Sequence, residues 1–210
     1  MDNKAILISI KPKWCALIAS GKKTIEIRKT RPKIKAPFKV YVYCTKDKRN
    51  HFWTGKRYSY VDESSHNAFD KDGNGKVIGE FICSEITTFP DDCSAGWLVK
   101  NSHVSTIELK RYADSNDKLY AWHISDLVIY DEPKELRDFC FPPELYCEKE
   151  RCGGCPKDQM MGLDGDYAFD CEWEKPITRA PQSWCYVKEK ESCDAENMQD
   201  LWQEQGNVIF

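Results

Sequence analysis

Three residues near the start of the chain combine types and spacing that can do chemistry. They are Lys23, Glu26 and Arg28 in the run Gly21-Lys22-Lys23-Thr24-Ile25-Glu26-Ile27-Arg28. Glu26 and Arg28 are two apart, so on a strand they share one face. A carboxylate beside a guanidinium is held ionised and oriented. A lysine close to that carboxylate can bind a phosphate or polarise a carbonyl, and partial burial would lower its pKa enough to shuttle protons. The competing expectation is a surface ion-pair ladder that contributes little.

Other side chains join this set with less support from spacing. Glu80 sits in the apolar run Lys76–Ile86 with Ile78 and Ile82 expected on its face, where a carboxylate is costly unless paired; Lys23 or Arg28 is the expected partner. Trp14, Trp122, Tyr43, Trp184 and Tyr186 offer stacking surfaces for a base, against the alternative that aromatics at strand spacing fill a core. His123 lies in an apolar strand and reads as a hydrogen-bonded core histidine. Ser183 and Cys15 have no base at fixed spacing and are rejected as nucleophiles. Asp70-Lys71-Asp72-Gly73-Asn74-Gly75 mimics the start of a calcium loop, but its twelfth position is Phe81 rather than a bidentate glutamate, so a glycine-rich hairpin turn is expected.

A separate cluster points to metal. Cys147-x4-Cys152-x2-Cys155-x15-Cys171 contains the knuckle Cys152-Gly153-Gly154-Cys155, whose glycines permit the tight turn that brings two thiolates to one ion. Four thiolates favour a structural zinc with no open position, and Cys140 is an alternative ligand. Such a site can supply roughly 10 kcal/mol or more to a segment with little core of its own. Reduced free cysteines, or a redox pair at Cys152 and Cys155, are the competing expectations.

The elements that must position these residues are short. KAILISI (4–10) reads as a buried strand. Pro12 opens a helix of about two and a half turns over 13–20, closed by Gly21. KTIEIR (23–28) and FKVYVYC (38–44) alternate as strands. The polar stretch 45–75 reads as a long loop or insertion carrying a short helix. KVIGEFICSEI (76–86) is the clearest long strand. Ser105-x-x-Glu108 has the spacing of a capping box that starts a helix running to about Tyr112. One or two strands follow over 119–130, then a short turn or helix from Pro133 through Phe139, the cysteine-rich segment, a last strand over 182–187 and a charged tail ending in a helix around 196–203. Helices fall between strands, and no glycine-rich phosphate loop follows any strand, so a doubly wound sheet is not expected.

Charge is distributed unevenly. Residues 1–60 carry 16 Lys and Arg but only three acids, a balance of +13, whereas the whole chain is at −3. The acidic balance of the remainder argues against a general nucleic-acid coat protein. A local anion-binding face remains open, as does the alternative that the basic third folds against the acidic remainder. Eleven cysteines, an odd number, point to reduced thiols and a cytoplasmic setting. No run approaches the roughly 20 apolar residues of a membrane span. The start MDNKAILISI has no small-residue cleavage site and is not read as a signal peptide.

The segment Ser9-Ile10-Lys11-Pro12-Lys13-Trp14, the helix after it, and the pattern G-x-K-x-x-E-x-R at Gly21, Lys23, Glu26 and Arg28 resemble the ASCH domain family. Gly79-Glu80, Trp122-His123, Leu127-Val128-Ile129-Tyr130 and Pro181-Gln182-Ser183-Trp184-Cys185-Tyr186-Val187 resemble its longer, prophage-type members. The resemblance implies an α+β fold: a small mixed PUA-like β-barrel with short covering helices, here with a Cys-rich insert. It divides the chain into an ASCH domain at 1–139, a possible zinc-binding insert at 140–176, a final barrel strand at 177–188 and a charged tail at 189–210. It implies a cleft that binds RNA, a nucleotide or a modified nucleobase through Lys23, Glu26, Arg28, Trp14, Trp122, Ser183 and Trp184. Lys11, Lys13, Lys22 and Arg31 are then expected at phosphates on the rim. Small bacterial members hydrolyse the acyl amide of N4-acetylcytidine with a lysine, a threonine and a helix-borne glutamate. The lysine aligns with Lys23, Glu26 stands at the threonine position, and Glu80 and Glu108 are candidates for the third group. An amidohydrolase using Lys23, Glu26 and Glu80 is therefore the alternative to a binding module. A protein-interaction module that docks through the zinc insert is the third reading.

Overall fold

The computed structural model describes residues 4–54, 59–62, 71–90, 96–114, 118–142 and 176–189. Strand β1 (Ala5–Ile10) is buried along its whole length, as an apolar run interrupted only by Ser9 requires. It leads through Lys11 into helix α1 (Pro12–Ala19), where Pro12 occupies the start of the helix and loses no hydrogen bond there. Gly21 ends the helix at φ +71°, a conformation glycine adopts without a Cβ clash. Strand β2 (Ile25–Arg28) follows, then β3 (Phe38–Cys44).

In the stretch 45–75, the described residues form three short strands and no helix: β4 (Asn50–Thr54), β5 (Ser59–Asp62) and β6 (Lys71–Asp72). They make a small separate sheet in the order β5-β4-β6. The glycine-rich segment 70–75, expected as a hairpin, makes a turn but not a hairpin, because β6 pairs with β4 while the next strand of the chain joins the main sheet. Asn74 fixes the turn by accepting from Phe52 N and donating to the carbonyls of Asp47 and Asn50.

The main sheet is completed by the long strands β7 (Val77–Pro90) and β8 (Lys118–Lys134), by β9 (Phe139–Cys140), and by β10 (Trp184–Glu189). Its order is β2-β8-β7-β3-β1-β10-β9. β1 and β3 are parallel, and the other ladders are antiparallel. Between β7 and β8 lie helices α2 (Gly96–Ser102) and α3 (Thr106–Ala113). The capping box expected at the start of α3 is formed: Glu108 N donates to Ser105 Oγ, and Ser105 N donates to Glu108 Oε2.

The α+β, PUA-like expectation holds, with one correction. The seven-stranded sheet is not closed into a barrel, because β2 and β9 end it without pairing to each other. The sheet nevertheless rolls over. Arg28 on the outermost strand β2 reaches the carbonyl of Ser9 on β1 at 2.7 Å, although three strands separate the two in the ladder. The rolled interior is filled by Ile6, Ile8, Ile10, Val40, Val42, Phe81 and Trp122. The opposite face of β1 and β3 packs Leu7, Tyr41 and Tyr43 on Phe139, Ile177 and Val187. Helices α2 and α3 cover β2 and β8 through Leu98, Leu109, Ile25, Ile27 and Leu119.

Bulges decide which residues face inward on β7. The β3–β7 register passes from Val42↔Gly79 to Tyr43↔Val77, so Ile78 is an extra residue that turns into the core. At Gly79 an added Cβ would lie 2.3 Å from the Val128 carbonyl oxygen. Only glycine lets β8 pass that close.

Candidate functional site

The short connection after α1 sets the site. Ser20 N donates to Ala16 O, Gly21 N to Ile18 O and Lys23 N to Leu17 O. These bonds satisfy the carbonyls at the helix end and throw Lys23 inward. Thr24 N then bonds Asn101 O, which fastens the start of β2 to α2. Along β2 the alternation works as expected: Ile25 and Ile27 face the helices, while Glu26 and Arg28 face into the roll of the sheet.

Lys23, Glu26 and Arg28 form one buried ion triad. Their residue exposures are 2%, 7% and 7%, so this is not a surface ladder. Glu26 divides its carboxylate between two cations: Oε2 lies 3.2 Å from Lys23 Nζ and Oε1 lies 3.0 Å from an Arg28 terminal nitrogen. The Lys23 ammonium also donates to the Ser102 carbonyl at 2.7 Å. That carbonyl belongs to the last residue of α2, at the negative end of the helix dipole. The face of Trp14 lies 5.2 Å from the same ammonium, within cation–π range. Burial pulls the Lys23 pKa below its ordinary value, against the pull of Glu26 in the other direction. Arg28 donates to Ser9 O at 2.7 Å and makes a long contact of 3.5 Å to Ser183 Oγ, while its Nε is buried without a partner among the described residues. Two cations share one carboxylate, so the triad carries one excess positive charge.

This triad belongs to the wall of a cleft of about 1410 Å³. Lys11, Lys13 and Trp14 line it from the start of α1, and Glu108 and Tyr112 from α3. The segment 177–183 closes the far side with Thr178, Arg179, Pro181 and Ser183. Ser9 Oγ holds that segment by donating to Pro181 O at 2.6 Å. Glu108 is exposed, and its carboxyl pKa is lowered by the hydrogen bonds from Ser105. Burial pushes the Tyr112 hydroxyl pKa up.

The cleft gathers Lys23, Glu26, Arg28, Lys11, Lys13, Trp14 and Ser183, as the sequence suggests. Four expectations need correction. Glu80 does not join the triad: the bulge at Ile78 puts it on the Tyr41 face of the sheet. There it accepts from Lys39 Nζ at 2.9 Å and Tyr130 Oη at 2.6 Å. Burial raises its pKa, but these two bonds outweigh burial and leave it lowered. Trp122 is fully buried, edge-on to Phe38 at 5.7 Å between centroids, and offers no face to a ligand. Trp184 does not line the cleft; its indole N–H donates to Thr30 Oγ1. Lys22 and Arg31 also lie outside the lining.

His123 shares a 2.9 Å hydrogen bond with Thr87 Oγ1 and stacks on Trp97, in keeping with a structural histidine. Cys15 is enclosed, and burial pushes its thiol pKa well up, the wrong direction for a nucleophile. Cys147, Cys152, Cys155 and Cys171 lie outside the described residues. Cys140 is buried on β9.

Two groups that complete the triad are not legible from residue type. Ser9 and Ser102 act through their backbone carbonyls, which carry no side-chain signature. Helix α2, which supplies one of them, is only seven residues long and has a polar residue, Ser102, at a buried position. Tyr112 was visible only as the end of a capped helix.

A rolled mixed sheet with helices over one end and a buried cationic cleft defines an α+β, PUA-like module. The chain matches the ASCH domain family over residues 8–204 and belongs to that family, which is linked to RNA binding. Among solved structures it resembles an ASCH protein from Zymomonas mobilis. The two share 18% identity over 96% of each chain, with a TM-score of 0.50. A point variant of that protein matches at 17% identity over 97% of each chain, also with a TM-score of 0.50. At these identities the likeness concerns the fold alone. No curated protein matches the chain. No helix among the described residues is long and apolar enough to cross a membrane.

Proposed function

We propose that this protein binds RNA by seating a nucleotide in the cleft, with the Lys23–Glu26–Arg28 triad beneath it. The reading rests on the excess positive charge of the triad, which is buried where water screens it least. A phosphate or an electron-rich base edge entering the cleft would balance that charge. Lys11 and Lys13 line the same cleft and supply phosphate contacts at its mouth. Trp14 and Tyr112, the latter 38% exposed, line the cleft; lysines lie over both rings, Lys13 and Lys23 on Trp14 and Lys29 on Tyr112, so a base would stack on ring surface they leave uncovered. The cleft exceeds the 300–1,000 Å³ or so of a typical small-ligand pocket, which suits a nucleotide within a strand better than a free base.

The test is fluorescence anisotropy with a labelled single-stranded RNA and, by competition, nucleoside monophosphates. Affinity should fall steeply between about 50 and 200 mM salt. Lys11→Ser/Lys13→Ser, both exposed, should weaken RNA binding and flatten that dependence. Absence of binding, or binding indifferent to salt and to these changes, overturns the proposal.

One observation favours a second reading. Lys23 has a lowered pKa, contacts a carboxylate, and shares its cleft with the helix-borne Glu108, which takes the place expected of Glu80. An amidohydrolase acting on acylated nucleosides would then use Lys23, Glu26 and Glu108. Turnover of N4-acetylcytidine that disappears in Lys23→Ala supports it; no turnover, or turnover that survives the change, removes it.

A further inference from the structure

Between β2 and β3 the chain runs Lys29-Thr30-Arg31-Pro32-Lys33-Ile34-Lys35, four cations with no acid among them. Among the described residues, none of the four forms a salt bridge. Uncompensated charge of this density is ordinarily left to move in solvent. Here it is fixed. Pro32 is buried and Ile34 packs against the core, while Arg31, Lys33 and Lys35 are exposed. The backbone N–H of Lys33 donates to Tyr186 Oη at 2.9 Å, and the Trp184 indole N–H donates to Thr30 Oγ1 at 3.0 Å. The Arg31 guanidinium lies over the ring of Tyr120, 5.9 Å from its centroid.

The segment is also continuous with the cleft. It begins directly after Arg28, and the Lys29 ammonium lies 5.3 Å from the ring of Tyr112, a residue of the cleft wall. The Trp184 and Tyr186 anchors follow Ser183 on the opposite wall. Two residues of chain span at most about 7 Å. The backbone positions of Arg31, Lys33 and Lys35 therefore succeed one another at no more than that interval, comparable with the separation of successive phosphates on a single strand.

We infer that residues 29–35 are a second binding surface, a pinned cationic strap that takes the phosphodiester backbone of a single-stranded RNA leaving the cleft. This rests on the reading of the cleft as a nucleotide site and adds to it the length and direction of the bound strand. Phosphate contacts of this kind position a strand without reading its sequence. The strap should therefore raise affinity equally for different sequences.

The experiment uses the full chain and the triple variant Arg31→Gln/Lys33→Gln/Lys35→Gln, with labelled RNAs of about 3 and 12 nucleotides and a nucleoside monophosphate. The changed side chains are exposed, and unaltered thermal melting confirms that the fold is kept. With Z phosphates neutralised, log K falls against log salt with a slope near −0.7Z on single strands. Three lost contacts should make the 12-nucleotide slope shallower by about 2, for every sequence tried. Binding of the monophosphate and the 3-nucleotide RNA should change less than about twofold. If the triple variant keeps the wild-type slope while the monophosphate still binds, the strap inference falls and the cleft reading stands. If the wild type binds none of these ligands, both fall. If the triple variant loses binding to phosphatidylserine vesicles but keeps its RNA slope, the strap is a membrane-facing surface and the inference is overturned.

Discussion

Replacing Glu26 with glutamine should destabilise the protein more than removing either cation, because the carboxylate is the only anion in the triad. It lies 3.2 Å from Lys23 and 3.0 Å from Arg28. At an effective dielectric of about 20, each contact corresponds to about 5 kcal/mol of gross attraction, most of it offset by the cost of dehydrating the ions. Glu26→Gln keeps the shape and one acceptor but leaves two buried cations facing each other without a counter-charge. Breaking a buried pair in this way costs about 3–5 kcal/mol. Lys23→Met leaves a neutral Glu26–Arg28 pair and an unpartnered Ser102 carbonyl, a loss of about 1–3 kcal/mol.

The pH dependence separates these cases further. The folded Lys23 pKa lies below the ordinary 10.5. Between those two values the unfolded chain holds more protons, so this group adds stability as pH rises. Without Glu26 the folded value falls further and the window widens downward. The deficit of Glu26→Gln should therefore shrink on going from about pH 7 to about pH 9. Urea titrations followed by tryptophan fluorescence measure all of this. A Glu26→Gln cost below about 1 kcal/mol, or a Lys23→Met cost equal to it, would refute the triad as an overcharged unit held by one carboxylate.

Three further outcomes follow from the fold. Gly79→Ala would place a methyl 2.3 Å from the Val128 carbonyl and should cost about 1–3 kcal/mol, read as a lowered thermal midpoint. Glu80→Gln should leave ligand binding unchanged in anisotropy, since Glu80 bonds Lys39 and Tyr130 and does not line the cleft; a loss of affinity would put it back in the site. The spacing of Cys147, Cys152, Cys155 and Cys171 predicts one zinc per chain by elemental analysis of purified protein, removed by chelation and absent from Cys152→Ser/Cys155→Ser.

What was legible followed from local rules. Pro12 and Gly21 bracket α1, and Ser105 with Glu108 starts α3, because caps act within one turn. The alternation at 25–28 put Glu26 and Arg28 on one face before any tertiary contact was known. What was not legible depended on ladders far apart in sequence. The bulge at Ile78 reverses the expected face of Glu80 and arises only when β3 and β7 pair. Trp122 at strand spacing reads more often as a core filler than as a stacking surface, and the register Glu26↔Trp122 between β2 and β8 does not decide between them. The decision comes from the roll of the sheet, which brings Phe38 and Trp184 against that indole. The same roll converts a run of charges that could have been a surface ladder into a buried triad.

The contacts of Lys23 bear directly on whether the cleft binds or reacts. An ammonium has three donors, and two of these are committed, to Ser102 O and to Glu26, with the Trp14 ring on a further side. To act as a base it must first lose a proton, and the nearest acceptor, Glu26, already has its two carboxylate oxygens divided between Lys23 at 3.2 Å and Arg28 at 3.0 Å. The lowered pKa of Lys23 therefore reflects a desolvated structural cation as readily as a poised catalyst. A bound anion separates the two: phosphate in the cleft raises the proton affinity of Lys23, which strengthens a binding site and disables a general base. NMR titration of the Lys23 ammonium with and without a nucleoside monophosphate should show its pKa rising on binding. A fall would favour the hydrolytic reading over the one proposed.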